Sequence, residues 1–255
     1  MSVLASALSE FGDGLKFLVE SDTSQYGDTQ VGGPGEVGRL LRLHLELSGF
    51  AVLFATLIAV PLGLVLGHLG RGQFVATSVS NVGRAVPSLA LIAFFFAYLG
   101  PSKINIIFAL TLLAIPPLLT NTYVGVRQVD RDAIDSARGM GFTEAGILGR
   151  VELPLALPLI FGGLRTAAVG VVATATIAPL AGVQSLGTPL VAQGVYGSAG
   201  QIGAAIAVAL LAVLVEVSFG LLQRAVTPRG LKLSGDARPG KRLSFLTPTR
   251  RVQTP

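Results

Sequence analysis

Residues 47–69 read LSGFAVLFATLIAVPLGLVLGHL and contain no Asp, Glu, Lys or Arg. About 20 apolar residues rising about 1.5 Å each cross the hydrocarbon core of a bilayer, so this stretch is a membrane span. Four more segments qualify. Residues 74–99 are interrupted by Asn81, Arg84 and Pro87, and 104–126 enclose Pro116 and Pro117. Residues 155–180 contain Arg165, and 202–222 carry Glu216 near their end. Prolines inside such runs are tolerated because neighbouring helices satisfy the freed backbone groups. The composition agrees: of 255 residues, 51% are hydrophobic and 13% charged, with a mean hydropathy of +0.68. Such a chain cannot cover a soluble globule with polar surface, and it is too apolar for disorder. The fold class is all-α integral membrane, with five transmembrane helices. There are no cysteines, which excludes a disulfide framework, a thiol nucleophile and thiolate metal ligation. The two histidines, His44 and His68, stand far apart and give no ligand spacing.

The flanks set the orientation. Residues 1–46 form a separate N-terminal unit. Leu4, Leu8, Phe11, Leu15 and Leu18 fall on one face of a helix suited to the membrane interface, and a Gly-, Asp-, Ser- and Thr-rich linker covers 21–38. With five spans, residues 1–46, 100–103 and 182–201 share one side and hold Lys16, Arg39, Arg42 and Lys103. The other side holds Arg71, Arg127, Arg131, Arg138, Arg150 and eight basic residues after Leu222. Thirteen against four puts the N-terminus outside and the C-terminus in the cytoplasm. The net charge of +5 is therefore a topology signature and not a nucleic-acid footprint. The basic tail, 223–255, suits anionic lipid headgroups.

The longest cytoplasmic segment, 127–154, contains VDRDAIDSARGMGFTEAGILGRVELP from Val129. Two short helices are predicted, at 131–138 and 143–150, joined through Gly139 and Gly141, with Thr143 as the cap of the second. Pro154 suits the first turn of the fourth span. A bent helix pair with small and apolar residues, at the mouth of a bundle, reads as a docking surface.

This segment resembles the EAA loop of ATP-binding-cassette importer permeases: Glu-Ala-Ala, three residues, Gly, nine residues, then Ile-x-Leu-Pro. Here Asp135-Ser136-Ala137 is followed after three residues by Gly141, and after nine more by Val151-Glu152-Leu153-Pro154. Asp replaces Glu, Ser replaces Ala and Val replaces Ile. The stretches NTYVGVRQVD (121–130), VELPLALPLIFGGLRTAAV (151–169), NVGRAVPSLALI (81–92) and TATIAPLAG (174–182) are similar to the osmoprotectant branch, which imports glycine betaine, choline, carnitine and proline betaine. The resemblance covers about residues 39–224. It implies the type I importer permease fold, with a coupling loop whose candidate residues are Asp135, Ser136, Ala137, Gly141, Glu144, Val151, Leu153 and Pro154. It also implies cytoplasmic ATPase subunits, a second permease subunit (identical or different) and an extracytoplasmic solute-binding protein.

No GxxxxGK[ST] phosphate loop occurs, so the chain binds no cofactor by that route; the resemblance implies that ATP and Mg act on the partner ATPase. No catalytic residues and no metal site are expected, since no nucleophile–base pair or ligand cluster is present. A stand-alone secondary transporter would need coupling-ion carboxylates in its spans, and Glu216 is the one candidate. Arg84, Arg165 and Glu216 each lie roughly 12–16 Å in from the cytoplasmic ends, counted at about 1.5 Å per residue. Glu216 neutralises one of the arginines, as a clasp or part of an inner gate, or else each charge separately faces a water-filled vestibule. Gly63-x-x-x-Gly67 permits close helix approach, either as internal packing, the favoured reading, or as a dimer contact.

Overall fold

The computed structural model describes residues 2–24, 26–27 and 29–227; the basic tail predicted beyond 227 lies outside them. Helix α1 is Ser2–Val19, followed by a ribbon of β1 (Ser21–Thr23) and β2 (Gln30–Gly32). Next come α2 (Gly33–Leu69), α3 (Gln73–Ala85), α4 (Ser88–Leu99) and α5 (Lys103–Arg127). Then follow α6 (Arg131–Gly139), α7 (Glu144–Ile147), a π-helical turn (Leu148–Glu152) and α8 (Leu153–Ala175). A 3₁₀ turn (Ala178–Ala181), α9 (Thr188–Val191) and α10 (Gln193–Val226) complete the described chain.

Among the described residues, four helical stretches are long and apolar enough to cross a membrane: Gly33–Leu69, Lys103–Arg127, Glu144–Ala175 and Gln193–Val226. A fifth crossing exists if α3 and α4 count as one span, but they meet at 83°. Pro87 makes the corner. Its ring disfavours the helical region for the residue before it, and Val86 is accordingly extended (φ −74°, ψ 118°). The continuous span read at 74–99 is thus two helices. In contrast, Pro61, Pro116, Pro117 and Pro158 are all accommodated within continuous helices.

Helix α2 begins well before residue 47, inside what reads as linker. Gly32 and Gly33 both have positive φ (79° and 72°) and turn the ribbon into the helix. The Glu36 carboxylate accepts from Gly32 N–H (2.7 Å) and from Tyr196 Oη (2.8 Å), so the acidic first turn is partnered. From Leu47 onward, Leu47, Ala51, Ala55, Ala59, Gly63 and Gly67 recur every fourth position and are buried. This stripe lies against Ile106, Leu110, Leu118 and Leu119 of α5, with Ala167, Val171 and Ala175 of α8 completing the core. The GxxxG pair is internal. A Cβ on Gly63 would lie 2.7 Å from Thr122 Cβ, and one on Gly67 2.7 Å from Val126 Cβ.

The fourth span ends at Ala175 and not at 180, giving way to the 3₁₀ turn capped by Gly182 (φ 73°). The fifth starts at Gln193 and breaks at Gly197 (φ 64°, ψ −172°). Helix α1 packs along α10, where Gly14 and Gly203 face each other so closely that a Cβ on Gly203 would lie 2.7 Å from Gly14 O. Its packed face carries Gly14 and Phe17. The predicted apolar face, with Leu8, Phe11 and Leu15, points away from the bundle.

Candidate functional site: the loop between α5 and α8

The loop folds around its own small core. Val129, Ile134, Ala137 and Ile147 are buried, with Phe142, Val151 and Leu155 packed on them. Asp130 starts α6 by accepting from Asp132 N–H (3.0 Å). The helix ends in a Schellman cap: Phe142 N–H reaches Ala137 O (3.2 Å) and Gly141 N–H reaches Arg138 O (3.0 Å). That closure places Gly141 at φ +85°, a left-handed value that costs a side-chain-bearing residue about 1–2 kcal/mol. Phe142 then packs on the cluster that contains Ala137, in keeping with the hydrophobic contact that accompanies such caps. Thr143 caps α7 by accepting from Gly146 N–H (3.2 Å).

From Glu144 the path runs helically into the membrane. Pro154 lies in the first turn of α8, yet the helix does not begin there. The π-helical turn, closed by Leu153 N–H to Leu148 O, joins α7 to α8 and takes up the register change next to the proline. Of the loop residues singled out, Ala137, Gly141, Val151, Leu153 and Pro154 shape the loop. Asp135, Ser136 and Glu144 lie on its exposed side, beside Met140 and Ala145.

A chain of charges runs through this structure. Arg138 binds Asp135 (Nη1–Oδ1, 3.0 Å) and Glu144 (Nε–Oε1, 2.9 Å; Nη2–Oε2, 3.1 Å). The hydrogen bonds that Arg138 donates to Glu144 raise its guanidinium pKa above the ordinary value. Glu144 Oε2 also lies 3.3 Å from Nε2 of His68, whose Nδ1 is 2.6 Å from Oε2 of Glu152. The side chain of Glu152 is 4% exposed and that of His68 16%. Surface pairs of the Arg138 kind contribute about 0–1 kcal/mol. Leaving one partner of a buried hydrogen bond unsatisfied costs about 1–3 kcal/mol, so the His68–Glu152 contact is the strongest link of the chain. The sequence pattern alone gives neither residue a partner. The available signal was Glu152 itself, an ionisable group just inside an apolar run, which needs a partner.

Farther along α8, Arg165 Nε lies 3.2 Å from Glu216 Oε1 on α10. Gln223 Nε2 donates to Pro158 O (2.8 Å) across the same helix pair. The side chain of Arg84 lies outside the described residues. His44, read as isolated, is buried and bonds Val172 O (3.0 Å).

A bundle of apolar helices carrying a capped helix–bend–helix loop at one end has the architecture of a transporter's membrane subunit. Residues 59–231 match the family described as binding-protein-dependent transport system inner membrane component, and the chain belongs to that family. It is 36% identical over 190 residues to the choline transport system permease protein OpuBB of Bacillus subtilis, covering 74% of this chain and 88% of that one. It is 37% identical over 198 residues to the carnitine transport permease protein OpuCB of Listeria monocytogenes, covering 77% and 89%. The fold matches an inward-facing structure of the MetNI methionine ABC transporter, with a TM-score of 0.66 at 21% identity, over 75% of this chain and 96% of that one. The chain is thus a multi-pass membrane permease with the fold of an ATP-binding-cassette importer subunit.

Proposed function

We propose that this chain is the permease subunit of an ATP-driven importer of compatible solutes such as glycine betaine, choline, carnitine or proline betaine. Two permease subunits form the pathway. ATP and Mg act on separate ATPase subunits docked on the loops, and an extracytoplasmic binding protein delivers the solute. The observation that carries this reading is the loop: a rigid, capped helix–bend–helix with an exposed polar and small-residue face, continuous with a membrane helix. The solute class rests on the names of the relatives. The exposed face of α8, with Thr166, Gly170 and Ala173, is small and weakly polar, as a face against a second subunit or a hydrophilic path requires.

Co-reconstitution of the permease with its ATPase and binding protein in liposomes tests the whole reading. Uptake of radiolabelled glycine betaine, choline or carnitine is expected to require ATP on the ATPase side and binding protein on the other. Uptake by the permease alone, driven by an ion gradient, would establish a secondary transporter instead. The N-out, C-in orientation is tested in this cysteine-free chain with single cysteines. Thr29→Cys should react with an impermeant maleimide on intact cells, whereas Thr247→Cys should react only after permeabilisation; the opposite pattern refutes the orientation.

A further inference from the structure

Helix α2 ends one residue beyond His68, where Gly70 turns left-handed (φ 68°) and donates to Gly67 O. His68 therefore sits on the last turn of a 37-residue helix about 55 Å long. Its two ring nitrogens face two carboxylates that are eight residues apart: Glu144 in the first turn of α7 and Glu152 at the end of the π-helical turn. Arg138 on α6 holds Glu144 from the other side, and Arg127 and Arg131 border the same small cleft. The apolar core of the loop contains no residue of α2. Helix α2 meets the base of the loop through apolar packing of Val60 and Leu64 in one cluster with Val126, Leu153 and Ala156, and His68 adds the polar contacts to Glu144 and Glu152.

The far end of α2 is tied as well. Arg39 donates to Gln184, and Glu36 accepts from Tyr196 of α10. One continuous helix thus connects the loop to groups at the opposite end of the bundle. We infer that His68, held by Glu152 and Glu144, is a positioning residue that makes α2 move with the loop, so that displacement of the loop reaches the far end of the pathway. The inference rests on the loop being the ATPase-docking surface.

The test uses the complete reconstituted importer. His68→Ala and Glu152→Ala should each lower the solute moved per ATP hydrolysed about tenfold, while the ATPase still co-purifies and still hydrolyses ATP. His68→Gln, which keeps one donor toward Glu152, should recover most of that ratio. Transport and hydrolysis falling in equal proportion, or an unchanged ratio in both alanine variants, overturns the inference. A second measurement leaves the cluster intact. Spin labels at Leu69→Cys and Gly149→Cys, with labelled chain diluted into unlabelled, should report one distance in nucleotide-free and ATP-trapped importer. A change of more than about 5 Å, one helical turn, means that α2 and the loop part during the cycle and overturns the inference. Gly141→Val, assayed in parallel, separates the two levels. If it retains the ATPase, the docking reading fails. If it releases the ATPase while His68→Ala leaves the ratio unchanged, only the role of His68 fails.

Discussion

Gly141→Val is expected to detach the ATPase subunits from the permease while the membrane bundle remains assembled. The position has open space around it; no heavy atom lies within 4 Å of a Cβ placed there. The constraint is therefore the backbone alone, at φ +85°. A β-branched residue is a true outlier at such an angle, and relaxing it to negative φ breaks the two cap hydrogen bonds from Gly141 and Phe142. Phe142 then leaves the loop's apolar cluster, and the loop core opens. The penalty is of the order of a few kcal/mol, comparable with the stability of so small a unit. It is confined to the loop, because the main bundle core, drawn largely from α2, α5 and α8, contains no residue between 127 and 154. Gly141→Asn is the informative control, since asparagine tolerates the left-handed region; it should keep the ATPase bound. Co-purification and substrate-stimulated hydrolysis would be measured for both variants. Full activity of the valine variant would reject the loop as the docking surface.

What was legible in the sequence divides along physical lines. Apolar runs and the spacing of Asp135, Gly141 and Val151–Pro154 are local patterns, and they gave the spans and the loop. The capping role of Thr143 was legible for the same reason. The start of α2 was hidden because Glu36, Arg39, His44 and Glu46 look like the end of an apolar run. Each bonds a distant group: Tyr196, Gln184, Val172 and Lys103. The helix continues through them on its buried residues Leu40, His44 and Leu47. The corner at Pro87 looked the same as the prolines inside α5; what differs is that Val86 turns extended. His68 and Glu152 are separated by 84 positions, and no periodicity connects them. Their pairing follows from α2 and the loop ending at the same level of the bundle.

Neutralising Glu216 is expected to impair assembly or transport strongly, and removal of Arg165 as well should recover part of the loss. Counted at about 1.5 Å per residue, Arg165 lies roughly 18 Å from the start of α8 and Glu216 roughly 15 Å from the end of α10. An unpaired arginine near the middle of a bilayer costs about 2.5–3.5 kcal/mol on insertion scales, and intramembrane charges usually pair or face water. Arg165 and Glu216 meet at 3.2 Å and join α8 to α10, beside a cleft bordered by Gly220 and Gln223. Gln223 supports the same helix pair through Pro158 O. Glu216→Gln leaves the guanidinium without its counter-charge, whereas Glu216→Gln combined with Arg165→Gln leaves two neutral amides able to bond each other. A double-mutant cycle on uptake should therefore yield a favourable coupling of about 0.5–3 kcal/mol, the range for residues in direct contact. The pair also distinguishes two roles. A static clasp would lose assembled complex in Glu216→Gln with normal uptake per assembled transporter, whereas a gate would keep assembly and lose uptake. Strictly additive losses, or coupling that falls on Arg84 instead of Arg165, would refute the pairing.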